Sequence, residues 1–377
     1  MMKKEDMGTL PVSYPLNDKS LTVLDCTFRD GGYYTNWHFD PELVVRYIAL
    51  CGKIGIDVIE LGYISLSENK AGPFGNLPDG IPSDLGGLVH DYPQLRFAAM
   101  IDVKDLSSMC QTEIAPSIRA HLLSASLPIT VLRFAVHFSH VSHLGCYIHE
   151  LQASGYDICI NLMQIDLASP SELQTCIDDL QKYSDLSSVY LADSLGSLSP
   201  DKVRSLISRF SDALTCPIGY HAHDNIGLAL HNSLVAIEAG ATWIDSTVYG
   251  MGRGAGNAKT EQVISILRKD VTFEKQFELY SFISQYFQDM HKVYGWGATP
   301  LYGVSGSGRI HPSYVQALED NDTYSVVEKM DVLVLLKEMD AAKFSSAQLD
   351  EAFSTIASTS VIANDAKQTR EVVHDYA

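Results

Sequence analysis

The sequence has scattered cysteines, few basic residues and no long apolar run. Its seven cysteines include no Cys-x-x-Cys pair, which argues against a disulfide framework or a zinc knuckle and favours reduced thiols. Lysine and arginine total 27 against 46 acidic residues, for a net charge of −19, so a nucleic-acid-binding surface is not expected. No apolar run reaches membrane-spanning length, and the N-terminus lacks the apolar core of a signal peptide. These absences predict a cytoplasmic protein that binds neither nucleic acid nor membrane.

The chain does contain eight apolar, strand-like segments that alternate with helical ones. At 377 residues with 46% hydrophobic content, it has room for one large α/β domain of about 250 residues and a smaller one. The alternation is typical of a (β/α)8 TIM barrel, although a doubly wound open sheet has the same local pattern. The predicted strands are 21–26, 58–64, 95–101, 130–136, 157–163, 188–192, 216–223 and 242–248.

Helix start signals mark the segments between these strands. Asp40-Pro41, Ser169-Pro170 and Ser199-Pro200 each place an N-cap residue before a proline at the first helical position. After residue 270 the strand pattern stops and apolar residues recur at helical spacing. The predicted helices there are 273–287, 313–319, 323–339 and 346–358, with a glycine-rich link at 294–309. The predicted organisation is an N-terminal arm at 1–20, a barrel at 21–270 and a helical C-terminal domain at 271–377.

Three residues could form a metal site in such a barrel. His221 and His223 lie two apart at the end of the seventh strand, so they share one face. An isolated His-x-His is more often structural than ligating. Asp30 ends the first strand, however, and in a closed barrel the first and seventh strands are separated only by the eighth. One carboxylate and two imidazoles suit Mn2+, Mg2+, Co2+ or Zn2+.

Polar side chains on the fourth strand and a glycine-rich loop extend this candidate site. Arg133 and His137 share the face that should point into the barrel. A buried arginine there either meets an anionic ligand or bonds to a carboxylate such as Asp25 or Glu60. The loop at 250–257 matches a dinucleotide fingerprint in form, but it follows the last strand rather than the first. We interpret it as a loop that approaches a ligand closely and brings Asn257 towards the metal.

Three of these motifs together resemble those of the DRE-TIM metallolyases. They are Thr-Phe-Arg-Asp-Gly at 27–31, His-Ala-His at 221–223, and Gly-Met-Gly-Arg-Gly-Ala-Gly-Asn-Ala at 250–258. The resemblance spans about residues 21–270 and is strongest to the 4-hydroxy-2-oxovalerate aldolases. It implies Asp30, His221 and His223 as metal ligands, with Asn257 as a weaker ligand, and Arg29 as the residue that stabilises an enolate.

The chain departs from the family at the proposed base. The aldolases have a histidine three positions after the ligand aspartate, where this chain has Tyr33. A phenol ionises only near pH 10, so His137 and His38 are competing candidates for the catalytic base. The condensing synthases, the CoA lyases and the biotin-linked carboxyltransferases fit less well, because their characteristic residues are absent here. The residues predicted to bind substrate are Arg133, Asp193, Ser194, Gly252 and Gly254.

The resemblance therefore implies a divalent-metal-dependent aldolase or lyase that acts on a 4-hydroxy-2-oxo acid through a pyruvate-type enolate. The expected ion is Mn2+ or Mg2+, with Zn2+ or Co2+ as alternatives. Two other functions stay open: a condensing enzyme that joins acyl-CoA to a 2-oxo acid, and a non-catalytic metal-binding barrel. The expected partners are a small 2-oxo acid and a second copy of the chain, and the C-terminal domain could meet an aldehyde-consuming enzyme.

Overall fold

Eight parallel strands close into a barrel in sequential order in the computed structural model. It describes residues 21–66, 72–77, 87, 90–125 and 128–358, so the predicted arm at 1–20 and the C-terminal 359–377 lie outside the described residues. The strands are β1 (Thr22–Asp25), β2 (Val58–Tyr63), β3 (Arg96–Asp102), β4 (Ile129–His137), β5 (Asp157–Met163), β6 (Ser188–Asp193), β7 (Ile218–Ala222) and β8 (Ala241–Ser246). Because β1 pairs with both β2 and β8, the TIM barrel is confirmed and the open sheet is excluded.

Helices follow the strands, and three of them begin at the N-cap and proline pairs predicted from the sequence. The Asp40 carboxylate accepts hydrogen bonds from two backbone N–H groups at the start of the first long helix. Ser169 forms a complete capping box, and Ser199 caps the next helix. These caps satisfy N–H groups that have no partner within a helix. The long barrel helices are Pro41–Ile54, Gln111–Ala125, Gly145–Ala153, Pro170–Leu180, Pro200–Ala213, Ala229–Glu238 and Thr260–Leu267.

The barrel interior has an apolar floor. Strand side chains alternate between the interior and the surrounding helices, and one set packs together inside the barrel, separate from the larger core between strands and helices. Its members are Leu24, Cys26, Val58, Ala98, Val131, Cys159, Tyr190 and Trp243. Polar side chains nearer the carboxyl ends of the strands therefore lie above this packed apolar layer. Barrel enzymes hold their catalytic groups at this end of the barrel.

The first C-terminal helices pack on the barrel. Phe273–Phe282, a π-helical turn at Ile283–Phe287 and Gln288–Tyr294 follow one another, and the ring of Phe282 stacks on that of Tyr47 at 5.5 Å. A second apolar cluster contains Ala255 of the loop after β8 and otherwise only residues from Leu301 to Ala352. We therefore propose that the domain boundary lies near residue 297 rather than at 270.

The predicted link at 294–309 is wrong in part, because Pro300–Gly308 is a helix. Thr299 caps it through the backbone N–H of Tyr302, and Pro300 occupies the first helical position. This is the same start signal as in the barrel, masked in the sequence by the neighbouring glycines. The remaining helices are Pro312–Glu319, Val326–Glu338 and 346–358. Within the described residues, no helix is both long and apolar enough to cross a bilayer, and six cysteines carry free thiols.

Candidate metal centre

Asp30, His221 and His223 lie together at the carboxyl ends of β1 and β7. One ligand atom from each residue falls within 4.8 Å of the others. Asp30 is in the short helical turn Thr27–Asp30 that follows β1, and the two imidazole rings stand 5.0 Å apart and nearly perpendicular. All three side chains are buried. Closure of the barrel thus produces the convergence that the spacing of the motifs predicted.

Asn257 completes the group. Its Nδ2 donates a hydrogen bond to Asp30 Oδ2, and its backbone forms a β-bridge with that of His223. Its Oδ1 is buried and has no hydrogen-bond partner among the described residues. Because buried carbonyl oxygens are almost always satisfied, and because amide oxygens bind hard divalent cations, these four side chains fit a divalent metal ion.

The charges at the site favour the ligand forms of these residues. Burial alone would raise the pKa of Asp30, but the neighbouring Arg29 guanidinium and the two imidazoles hold it well below its usual value. Burial, together with His221, lowers the pKa of His223 to about 3. At neutral pH the site therefore offers an ionised carboxylate and a neutral His223 imidazole, the forms that bind metal.

Arg29 is held rigidly next to the cluster. It is buried, its Nη1 lies 2.7 Å from Asp30 Oδ1, and its Nε lies 2.7 Å from Glu60 Oε2 on β2. The backbone carbonyl of Arg29 accepts a hydrogen bond from Trp37 Nε1 at 2.9 Å. In the described part of the chain, Nη2 makes no hydrogen bond. One end of the guanidinium is therefore fixed, and the other is available to a ligand.

Arg133 lies deeper and links Glu60 to a carboxylate on β8. It is fully buried, with Nη1 3.0 Å from Glu60 Oε2 and Nη2 2.6 Å from Asp245 Oδ2. Its guanidinium also sits 4.3 Å from the centre of the Tyr190 ring. This geometry favours the alternative in which Arg133 bonds to carboxylates over direct contact with substrate.

Asp245 in turn orients His221. Its Oδ2 lies 2.9 Å from His221 Nδ1, which leaves Nε2 towards Asp30 Oδ2 at 3.8 Å. A carboxylate bonded to the second nitrogen of a metal-binding imidazole fixes the ring and raises its basicity. The contacts close a ring of six side chains, which runs Asp30, Arg29, Glu60, Arg133, Asp245, His221 and back to Asp30.

Tyr33 packs against Trp37, whose indole N–H bonds to the Arg29 carbonyl. Its hydroxyl is 3.2 Å from that of Tyr63 at the end of β2, and its ring packs 4.9 Å from Trp37. The Arg253 guanidinium lies 5.8 Å from the ring centre. Tyr33 is partly exposed, at 38%. It therefore combines access to solvent or ligand with a hydrogen-bonded neighbour.

The two histidines that competed with Tyr33 are placed differently. His137 Nδ1 accepts a hydrogen bond from the Ser139 backbone N–H, so in the neutral ring Nε2 carries the proton. His38 is exposed, and its Nδ1 bonds to the Asn36 carbonyl at 2.9 Å. His38 thus lies on the surface, whereas His137 lies at the end of β4 with its Nδ1 bonded to Ser139.

Of the other predicted substrate residues, Asp193 points away from the barrel interior. Its carboxylate accepts hydrogen bonds from the backbone N–H groups of Ser197 and Leu198 at 3.0 and 3.1 Å. Asp193, the last residue of β6, therefore uses its carboxylate to hold the loop that follows the strand. Ser194, one residue later, lines a cavity at the barrel mouth, and its hydroxyl accepts a hydrogen bond from the Gln164 backbone N–H.

Gly252 and Gly254 shape the loop that carries Asn257. A Cβ at Gly252 would lie 2.7 Å from Asn257 Nδ2, so only glycine lets that amide stand where it does. Gly254 has a φ of +65°, which disfavours side chains. The loop glycines thus position Asn257 beside Asp30.

Asp193 also has a charged neighbour that the sequence did not single out. Burial raises the pKa of Asp166 to about 6, and neither of its carboxylate oxygens has a hydrogen-bond partner among the described residues. Burial and the Asp166 charge raise the pKa of Asp193 to about 7. The two carboxyl groups therefore compete for ionisation near neutral pH.

We expect Asp166→Asn to stabilise the protein at pH 8. The folded pKa of Asp166 lies above its unfolded value, so its contribution to stability is full below about pH 4 and is lost as pH rises through 6. At pH 8 the substitution should raise the free energy of unfolding by about 1–3 kcal/mol, with little effect at pH 4. Urea unfolding at both pH values measures this. Destabilisation at pH 8 would show that the carboxylate is satisfied by a bound cation or water.

Comparisons with known proteins agree on a family. The HMGL-like family model matches residues 141–285. The chain is 32% identical over 273 residues to 4-hydroxy-2-oxovalerate aldolase of Carboxydothermus hydrogenoformans. The aligned region covers 70% of this chain and 74% of that enzyme. It is 29% identical over 276 residues to the enzyme of the same name from Burkholderia pseudomallei, covering 69% and 73% respectively.

Solved structures with the same fold are also similar. The N-terminal domain of a candidate aldolase from Bacteroides vulgatus has 28% identity and a TM-score of 0.68, covering 81% of this chain and 97% of that one. The carboxyl transferase domain of Rhizobium etli pyruvate carboxylase has 15% identity and a TM-score of 0.65, covering 91% and 61%. At that identity the second likeness concerns the fold alone.

Proposed function

This chain belongs to the HMGL-like family, and we propose that it is a divalent-metal-dependent aldolase that cleaves or forms a carbon–carbon bond of a 4-hydroxy-2-oxo acid. The observation that carries the proposal is the buried group of Asp30, His221 and His223 at the barrel mouth. It occurs in a chain 32% identical to a 4-hydroxy-2-oxovalerate aldolase. The protein is then a carbon–carbon lyase whose products are a pyruvate-type 2-oxo acid and an aldehyde.

Asp30, His221 and His223 would hold the ion, with Asn257 Oδ1 as a fourth donor. A divalent ion bound there supplies Lewis acidity towards the carboxylate and keto oxygens of a 2-oxo acid. Mn2+ or Mg2+ suits a site with carboxylate and amide oxygens, and the two imidazoles keep Zn2+ and Co2+ as alternatives. Asp245 would support the site by holding the His221 ring.

Arg29 would stabilise the charge that develops on the enolate. Cleavage breaks the bond between C3 and C4 and leaves its electron pair on the 2-oxo acid fragment as an enolate. Arg29 is fixed by Asp30 and Glu60, so its free Nη2 is oriented before substrate arrives. Preorganised donors of this kind cost no reorganisation during the reaction.

Tyr33 would hold and move the proton of the C4 hydroxyl. It occupies the position of the family histidine, and its hydroxyl has Tyr63 as a hydrogen-bond partner at 3.2 Å. Its ring lies 5.8 Å from the Arg253 guanidinium, and its contact with Tyr63 places it at the end of β2. His137 and His38 each use Nδ1 in a local hydrogen bond, to Ser139 and to the Asn36 carbonyl respectively.

We expect Tyr33→Phe to lower kcat for pyruvate release by about 10²-fold, the usual size of a general acid–base contribution. Tyr33→His, which restores the family's residue, should keep more activity than the phenylalanine variant and shift the pH optimum downwards, because imidazole accepts a proton near neutral pH. Steady-state kinetics between pH 6 and 9 measure both. Wild-type kcat in Tyr33→Phe would assign proton transfer elsewhere.

The substrate panel tests the function itself. Protein stripped with a chelator and reloaded with Mn2+ is given 4-hydroxy-2-oxo acids of increasing length, and pyruvate is followed with lactate dehydrogenase and NADH. The proposal expects pyruvate release from at least one member, and none without metal. Absence of turnover across the panel would contradict it.

Other expectations stay predictions. We also expect a homodimer, an aldehyde-consuming partner enzyme and a cytoplasmic location. The proposed reaction does not depend on any of the three. Sedimentation of the purified chain would decide the first of these.

A further inference from the structure

A cavity of about 620 Å³ opens at the carboxyl ends of β3 to β6. We call it the histidine pocket, because its lining includes His137, His140, His143 and His311 together with Lys104 and Arg253. Asp30, His221 and His223 are not part of its lining. It is large for the short aldehyde fragment of a five-carbon substrate, since cavities of this size hold drug-sized ligands.

Three of the histidines come from one short segment. His137 ends β4, and a 3-10 helix follows at Phe138–Leu144. Residues three apart stack on one face of a 3-10 helix. The ring of His140 lies 5.6 Å from that of His137 and 5.7 Å from that of His143. The local structure therefore presents a row of imidazoles to the pocket.

Two imidazoles in the lining use Nδ1 as a hydrogen-bond acceptor within the chain. His137 and His311 each precede a helix, and each accepts a backbone N–H two residues later through Nδ1. Burial is the main cause that lowers the pKa of both, to about 4 in His311. In each neutral ring Nε2 carries the proton, and His137 Nε2 is buried without a partner among the described residues. Such a donor calls for an acceptor on a ligand.

The pocket also carries an unbalanced positive charge. Lys104 Nζ is paired with Asp102 Oδ2 at 2.9 Å, and Asp102 is the one carboxylate in the lining. No carboxylate pairs with Arg253 in the part of the chain that the structure describes. Outside the lining, the charges of Lys343 and, in the opposite sense, Glu172 act on His137. In a chain of net charge −19, a positive cavity of this kind suits an anion.

Arg253 connects this pocket to the metal centre. It follows Gly252 in the loop that positions Asn257, and its guanidinium lies 5.8 Å from the Tyr33 ring. Its charge acts on His223 on one side and on His311 on the other. A substrate that extends from the metal centre past Tyr33 would therefore meet Arg253 next.

We propose that the histidine pocket binds an anionic group, a carboxylate or a phosphate, on the aldehyde part of the substrate, with Arg253, His137 and His311 as its donors. The inference rests on the proposed aldolase function and specifies its substrate class. In the synthetic direction C3 of pyruvate loses a proton, a bond forms between C3 and the aldehyde carbon, and the aldehyde oxygen gains a proton. The anionic group takes no part in bond formation and sets selectivity.

Matched aldehydes test this proposal. The Mn2+-loaded protein is given pyruvate with succinic semialdehyde or uncharged pentanal, and with glyceraldehyde 3-phosphate or glyceraldehyde. We expect kcat/KM for at least one anionic aldehyde to exceed that of its neutral counterpart about tenfold or more. The first pair reports on a carboxylate and the second on a phosphate. Equal values within both pairs would overturn the proposal and leave the aldolase function standing, whereas no reaction with any aldehyde would overturn both.

Variants locate the effect. Arg253→Gln should reduce the ratio of anionic to neutral kcat/KM by about 10- to 100-fold, and Arg253→Lys should reduce it less. Lys104→Gln, at a largely exposed side chain, provides a second variant with little effect on folding and should lower the ratio in the same direction. Arg204→Gln on the outer helix Pro200–Ala213 removes the same charge outside the pocket and should leave the ratio unchanged. An unchanged ratio in both Arg253→Gln and Lys104→Gln would place the selectivity elsewhere.

Discussion

Replacing Asp30 by asparagine should lower kcat/KM for pyruvate release by at least about 10³-fold and abolish tight Mn2+ binding. The substitution keeps the volume of the side chain but removes the charge that both Arg29 and the ion need. Loss of metal-derived stabilisation of the transition state costs several kcal/mol, and about 4 kcal/mol corresponds to a factor of 10³. Steady-state kinetics and Mn2+ titration on the same preparation measure the two effects together.

A surface variant controls for this change. Asp178→Asn removes the same charge from the outer helix Pro170–Leu180, where the carboxylate accepts a hydrogen bond from the Gln174 side chain. This variant should match the wild type in both assays. The account would be contradicted if Asp30→Asn kept wild-type activity. It would equally be contradicted if the variant lost activity while binding Mn2+ as tightly as before, since Asp30 would then not be a ligand.

Replacing Arg29 by glutamine should lower kcat by about 10²- to 10³-fold with a smaller change in KM. The free Nη2 is the donor proposed for the enolate, and removal of one preorganised donor typically has an effect of this size. Glu60 keeps its contact with Arg133 at 3.0 Å, so the variant should fold. Thermal unfolding followed by circular dichroism checks that point.

Metal binding separates the role of Arg29 from that of Asp30. Arg29→Gln should still bind one Mn2+ per chain, because none of the four proposed ligands is removed. Arg29→Lys should recover part of kcat, since lysine keeps the positive charge but lacks the bidentate hydrogen-bonding geometry of the guanidinium. A glutamine variant that failed to bind Mn2+ would make Arg29 a support for the ligand site rather than a group that stabilises the transition state.

The barrel and the convergence of Asp30, His221 and His223 could be predicted because each depends on short-range sequence patterns. Strand positions followed from apolar runs, and helix starts followed from N-cap and proline pairs. Once eight strands imply a closed barrel, the adjacency of β1, β8 and β7 is fixed by topology. The approach of Asp30 to His221 and His223 needs no further information.

The side chains that orient Asp30 and His221 depend on partners far apart in the sequence, so they were harder to predict. Asp245 is an aspartate within an apolar strand, on the inward face two residues after Trp243. A charged residue at an inward position indicates a polar partner inside the barrel. The partner is His221, and this pairing depends on the register between β7 and β8, which shifts at Ile218/Gly219. For Arg133 the sequence left two roles open, contact with an anionic ligand or an ion pair with a carboxylate. The three-dimensional structure shows ion pairs with Glu60 and Asp245.

His311 shows a second limit. It lies in the C-terminal region, beyond every motif that suggested chemistry, yet it lines the same pocket as His137. From the sequence, His311 can be recognised only as the residue that precedes Pro312 at the start of a helix. Contacts between the barrel and the C-terminal helices are long-range, so no local pattern could have assigned this histidine to the site.

The most direct test of the account is a Mn2+ titration of chelator-treated protein, with bound Mn2+ measured by electron paramagnetic resonance and pyruvate release measured on the same samples. The account predicts that activity rises in proportion to the first equivalent of bound Mn2+ and then reaches a plateau. It also predicts coupling from the nitrogens of two imidazoles, one of which is lost in His223→Gln while that of His221 remains. Full activity in the metal-free protein, or one bound Mn2+ without nitrogen coupling, would contradict it.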